Sequence, residues 1–207
     1  MMFDYLRKLR DTKKFYPGRI LDIGAYNGVW TREVKGIWPI ARYTCIEAGP
    51  KHRRTLKFLT KDFHIAVLGD KNRNVKMHLR KIQNKFQEKI AYTKGSTLFS
   101  VFPDFEERQM QTLASVVGED ARYDVIKQDV QGAEIMVMDG SPEIFKRATY
   151  VIQEVNIHPH DEFKDMPHEK QMDEYMSKLG FTDSRCIAEH DNSDQIDKIY
   201  GKDGTLC

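Results

Sequence analysis

With 207 residues, 40% hydrophobic and 31% charged, the chain is long enough to bury one substantial core and too apolar for a disordered polymer. Its net charge of +2 is too small to argue by itself for a nucleic-acid partner. Three scattered cysteines, Cys45, Cys186 and Cys207, show no C-x-x-C spacing, which argues against a disulfide framework or zinc site and for a reducing, cytoplasmic setting.

In chain order, residues 1–17 carry charges throughout and lack the apolar run of a secretory signal. They read as a short amphipathic lead-in helix with a solvated basic face. No stretch approaches the ~20 apolar residues of a membrane span. "RILDIG" (19–24) is strand-like and ends in glycine; "VWTREVKGIW" (29–38) has helical spacing and is stopped by Pro39. "RYTCIEA" (42–48) predicts a second strand, "KHRRTLKFLT" (51–60) a basic amphipathic helix, and "FHIAVLG" (63–69) a third strand. "NVKMHLRKI" (74–82) alternates like a strand, and "EKIAYTKGSTLFSVF" (88–102) suggests a strand plus a loop. "QMQTLASVV" (109–117) fits strand and helix equally. "YDVIKQDV" (123–130) is a strand, "AEIMVMDGSPEIFKR" (133–147) a helix interrupted near Gly140-Ser-Pro142, and "TYVIQEVNI" (149–157) a strand. The helix "EKQMDEYMSKLGF" is capped at Gly180. Two closing strands, "TDSRCIAEH" and "QIDKIYGK", are joined by the polar turn "DNSD".

Strands alternating with helices predict an α/β fold in three layers, a mostly parallel Rossmann-like sheet with helices on both faces. The closing hairpin adds an antiparallel edge strand. No Pro/Gly/Ser-rich linker divides the chain, so residues 1–207 read as a single domain, with 71–108 an insertion on the substrate side.

In an open sheet of this kind, ligands bind beyond the carboxyl ends of the strands. The first strand ends in Asp22, then Gly24, Ala25, Tyr26, Asn27 and Gly28. The loop lacks the G-x-G-x-x-G dinucleotide fingerprint, and Asp22 would repel a pyrophosphate but suit a cationic amine. Glu47, followed by Ala48, ends the second strand at about the 20-residue offset where an acid accepts the two hydroxyls of a ribose. An adenosine with an amino-acid tail and no phosphate meets these demands, which is S-adenosylmethionine. A glycine turn beside a surface glutamate is the plainer alternative.

The stretch "DVIKQDVQGAE" (124–134) starts as a buried strand and ends in Lys127, Asp129 and Glu134. Together with "ILDIGAYNG", "CIEAGP", "AVLGD" and "GSTL", the run "VIKQDVQGAEIMVMDG" resembles the FkbM family of S-adenosylmethionine-dependent methyltransferases, in order from about Gly18 to Asn156. The resemblance implies a class I methyltransferase fold, S-adenosyl-L-methionine as cofactor, and O-methylation of a hydroxyl on a sugar, glycan or small natural product. It places Asp129 beside the sulfonium methyl group. Lys127 is either a site residue or an ion-pair partner of Asp129, and Glu134 either a site residue or a helix-start acid. Three positions depart from the family pattern: Gln131 stands where glutamate is usual, Ala114 where an aspartate commonly follows "T-L", and "EAGP" for the commoner Glu-Pro.

Transfer to an alcohol requires alignment and removal of a proton. Asp129 is the first candidate for that task and His158, in "HPH" (158–160), the second. His158, His160 and an acid such as Asp129 or Glu154 form a plausible ligand set for a divalent ion, but no spacing compels a metal. The expected partner is a small-molecule or glycan acceptor, not nucleic acid. A non-catalytic module with the same fold is the rival reading.

Overall fold

The structure is a computed structural model and describes residues 2–78, 81–82, 91–92, 98, 104–157, 167–189 and 194–206. Helix Met2–Lys13 (α1) leads into strand Arg19–Ile23 (β1), helix Val29–Ile37 (α2) and strand Arg42–Glu47 (β2). A 3₁₀ turn, Pro50–His52, precedes helix Arg53–Leu59 (α3) and strand Asp62–Ile65 (β3). Short strands follow at Val67–Leu68 (β4), Arg73–His78 (β5), Lys81–Ile82 (β6), Ala91–Tyr92 (β7) and Phe105–Gln111 (β8). The chain then alternates through helix Leu113–Val117 (α4), strand Val125–Gln128 (β9), helices Glu134–Asp139 (α5) and Pro142–Lys146 (α6), and strand Tyr150–Asn156 (β10). It closes with helix Glu169–Lys178 (α7) and strands Asp183–Glu189 (β11) and Gln195–Gly201 (β12).

The principal sheet has the order β11-β12-β10-β9-β1-β2-β3. Pairing is parallel from β3 through β10, whereas β12 runs antiparallel to both β10 and β11. The expected closing hairpin therefore forms one edge of a mostly parallel sheet, and its reversed strand lies one place in from that edge. The turn "DNSD" lies outside the described residues up to Asp194. Every residue of β9 is buried, as are all but the first of β1, the pattern of strands covered on both faces.

Two apolar layers cover the sheet. On one side Leu6 and Leu9 of α1 and Trp30, Val34 and Ile37 of α2 pack on Ile20, Val125, Ile152 and Ile199. On the other, residues of α4 to α7, among them Val137, Phe145 and Met176, pack on Leu21, Ile23, Ile126 and Val151. The helix Met2–Lys13 docks its apolar face, Leu6 and Leu9, in this core.

The third predicted strand, 63–69, is broken. β3 pairs with β2, the Ala66 amide donates to the carbonyl of Glu47 at 3.0 Å, and β4 then leaves for a separate three-stranded sheet, β4-β8-β5. The ambiguous stretch 109–117 is both things, the end of β8 and, after Thr112 as N-cap, helix α4. The interruption near Gly140 is also present. A side chain there would meet the carbonyl of Gly69 at 2.2 Å, so the gap between α5 and α6 seats the entry to the small sheet.

Leu6 is fully buried, so Leu6→Ala should cost about 3 kcal/mol in urea unfolding; a loss below about 1 kcal/mol would mean that α1 does not dock on the core.

Candidate functional site

β1 is where the chain reverses its winding: β2 lies on one side and β9, reached much later, on the other. In an open sheet such a reversal point is where the helices on opposite faces diverge and a crevice opens at the carboxyl ends of the strands. Most of the predicted residues converge on it.

The loop after β1 has left-handed backbone at Gly24 (φ 77°), Tyr26 (φ 50°) and Gly28 (φ 75°). At Gly24 a β-carbon would lie 1.8 Å from the carbonyl oxygen of Asp129, so only glycine lets the β1 and β9 loops meet. The amides of Gly24 and Ala25 both donate to the Ile46 carbonyl, at 2.9 and 3.0 Å. Gly28 is pressed against Leu59 of α3.

Glu47, at the tip of β2, accepts from the amide of Tyr26 at 2.8 Å on one oxygen and from that of Gly49 at 2.7 Å on the other. Gly49 belongs to "EAGP"; a proline at its position would lack that donor. Burial raises the Glu47 carboxyl above its usual range although both amides oppose the shift. A carboxylate offers about four lone-pair positions, so two fixed amides orient it and leave capacity for further donors. Ala48 follows, its carbonyl accepting from Arg108 of β8 at 2.7 Å. The ring of Tyr26 stands 4.3 Å from that of His52.

One row deeper on the same sheet face, Asp22 and Lys127 are register neighbours. Asp22 is buried; it accepts from the Thr31 hydroxyl at 2.5 Å, and its other oxygen has no hydrogen bond but lies 3.7 Å from the Lys127 ammonium. Burial dominates and raises the Asp22 carboxyl against the pull of Lys127 and Thr31. Lys127 also donates to Asp129 at 3.2 Å. Burial disfavours its charge, yet Asp129 and Asp22 outweigh that and raise its pKa overall, so the ammonium stays charged inside the protein.

Asp129 sits just past β9, with its amide on the Ile23 carbonyl at 3.0 Å. Gln131, with φ 58°, donates from its amide nitrogen to Asp129 at 2.6 Å and to Glu154 of β10 at 2.8 Å. Glu134 is turned away from this group and back onto its own loop, accepting from the amides of Val130 at 3.0 Å and Gly132 at 3.2 Å. Burial is the chief cause that lifts its carboxyl to about 7. Glu134 thus closes its own loop, and Lys127 is ion-paired with Asp22 and Asp129. Asn27 lies in the glycine loop, partly exposed. Ala114 is remote in its contacts, its amide on the Ser141 hydroxyl at 2.8 Å. His158 and the "TKGSTLF" loop, apart from Leu98, lie outside the described residues, among which no group of three His, Cys, Asp or Glu suits a metal.

Thr31 and His52 escaped the reading of the sequence, and Glu154 entered it only as a possible metal ligand. Glu154 had a signal, an acid interrupting an apolar strand. Thr31 had none, since only the packing of α2 on β1 brings its hydroxyl to Asp22.

Removing the ammonium with Lys127→Met should cost about 3–5 kcal/mol by leaving the buried Asp22 carboxylate without its cation, and adding Asp22→Asn should recover part of it in urea unfolding. Equal stability of K127M and wild type would contradict the pairing. The Glu134 carboxyl has a folded pKa above its unfolded value, so the folded state holds the proton longer. Its contribution is therefore full at low pH and is lost as pH rises from about 4.5 to about 7, by at most about 3 kcal/mol. Glu134→Gln should flatten that part of the stability–pH curve; parallel curves for the two proteins would refute the assignment.

The model of the methyltransferase FkbM domain matches residues 22–182. No curated protein matches the sequence significantly. Among solved structures, the O-methyltransferase TomG from Streptomyces achromogenes, in complex with S-adenosylmethionine, is similar with a TM-score of 0.52 at 11% identity, over 97% of this chain and 79% of that one. A putative O-methyltransferase from Klebsiella pneumoniae gives a TM-score of 0.50 at 12% identity over the same shares. At such identities the likeness is one of fold, and it agrees with the Rossmann-like sheet described above. The family match covers most of the chain, from Asp22 through the strand-end carboxylates, and the chain belongs to the FkbM family of S-adenosylmethionine-dependent methyltransferases.

Proposed function

We propose that the crevice beyond β1, β2 and β9 is the methyl-transfer site, and that it acts on a hydroxyl of a sugar, glycan or small natural product. The observation that carries this reading is the charge pattern at the strand ends. Among the described residues, Glu47, Asp22, Asp129 and Glu154 are set around the ammonium of Lys127, so that carboxyl groups outnumber ammonium groups where a cationic ligand would lie. Asp22 also keeps one buried oxygen without a hydrogen bond. These residues fit S-adenosylmethionine, which supplies a methyl group on a positively charged sulfur.

Each residue has a distinct task. Glu47, held by two amides, accepts the ribose hydroxyls. The loop 24–28 passes close to the ligand because of its left-handed residues. Asp129 presents fixed negative charge to the sulfonium and orients the acceptor. When the acceptor oxygen takes the methyl group its proton must leave, and Asp129 or His158 receives it. Asp129 already accepts from Lys127 and Gln131, which suits it better to hold charge than to collect a proton.

Acceptor recognition falls to the 71–108 insertion. Its small sheet packs beside Ala48 through Val67, Met77 and Met110, and Arg108 reaches the Ala48 carbonyl. The whole chain works as one domain, in the cytoplasm. The FkbM resemblance supports oxygen as the methylated atom, and the near-neutral net charge supports an acceptor other than nucleic acid.

Calorimetric titration should show S-adenosylmethionine binding that Glu47→Ala weakens about 10- to 100-fold, the value of one or two hydrogen bonds to a charged group. Unchanged affinity in E47A would remove Glu47 from the site. Binding without turnover across a panel of hydroxylated acceptors would instead support a non-catalytic module.

A further inference from the structure

Glu154 and Asp129 are carboxylates on neighbouring strands, close enough to share one amide nitrogen. Asp129 follows β9, and Glu154 lies in β10, one residue past the last parallel pair, Gln153 with Gln128. Gln131 spans them, giving one N–H to Asp129 at 2.6 Å and the other to Glu154 at 2.8 Å. To do so it occupies left-handed backbone, φ 58°, which disfavours any residue but glycine. Among the described residues, the other charged groups facing this pair include Lys127 one row below, Asp22 beside Lys127 and Glu47 across the crevice. Asp197, the register partner of Glu154 on β12, extends the acidic row.

We infer that Gln131 is a positioning residue: its side-chain amide holds Asp129 and Glu154 side by side, with one N–H on each carboxyl group. A primary amide is suited to this, because it has two donors on one nitrogen and carries no charge. A carboxylate at position 131 would have no donor to give. It would make a third acidic group within hydrogen-bonding reach of the first two, and carboxylate clusters of that kind take hard divalent cations. The side-chain amide thus keeps the pocket free to receive a cationic ligand instead of a metal. This role beside the sulfonium rests on the cofactor reading given above; the clamp itself rests on the geometry alone.

The test is Mn²⁺ titration by calorimetry of wild type, Gln131→Glu and Gln131→Met, the last being a shape-matched side chain without donors. The expected order of affinity is Q131E, then Q131M, then wild type, with Q131E at least tenfold tighter than wild type. A role in folding alone would not produce that order. Both variants binding Mn²⁺ no better than wild type overturns the clamp, and if Q131E fails to fold, Q131M against wild type decides it. The same preparations are titrated with S-adenosylmethionine and S-adenosylhomocysteine in the presence and absence of Mn²⁺. Mn²⁺ held by the pair should weaken binding of the sulfonium at least fivefold more than binding of the neutral thioether. Cation capture without that difference upholds the clamp but places the cofactor elsewhere, so that the functional reading fails and the clamp stands.

Discussion

A lysine ammonium with only 7% of the residue exposed must be matched by negative charge, and in this protein Asp22 and Asp129 match it from two adjacent loops and strands. The cost of burying Lys127 is met only if β1 and β9 lie side by side in the observed register, with Asp22 opposite Lys127. That pairing also creates the crevice, because β1 is the strand at which the chain reverses direction across the sheet. The same ion group therefore fixes the strand alignment and charges the floor of the site.

The row above it is built by close backbone approach. Gly24 lets the first loop touch the carbonyl of Asp129, and the Tyr26 amide reaches across to Glu47. Three loops that would otherwise be independent become one rigid rim. Glu134 does the same for the β9 loop, tying the Val130 and Gly132 amides to the start of α5. What faces the crevice is then Glu47, fixed by two backbone amides, beside Asp129, held by the Lys127 ammonium and the Gln131 amide, and preorganised charge of this kind needs no rearrangement when a cation arrives.

Much of this was legible in the sequence. Strands β1, β2, β9 and β10 are rich in apolar residues, as burial on both faces demands, and the polar residues at their ends mark the edge of the core. Glu47 and Gly24 could be proposed from that position and spacing, and Asp129 from the FkbM resemblance. The break at Ala66 could not, because Val67 and Leu68 continue the apolar run and only pairing with β8 decides which sheet they join. Thr112 was a readable N-cap inside the stretch that looked ambiguous. Gln131 was visible only as an unexpected residue; its contact with Glu154 depends on β9 lying beside β10, which no local pattern encodes. The same holds for Thr31 and Asp22, joined by the packing of α2 onto the sheet.

The most direct test of the central claim is a crystal structure with S-adenosylhomocysteine bound. The account predicts both ribose hydroxyls within hydrogen-bonding distance of Glu47 and the sulfur beside Asp129, with the Lys127 ion group unchanged. A ligand bound elsewhere, or one whose ribose makes no contact with Glu47, would contradict it.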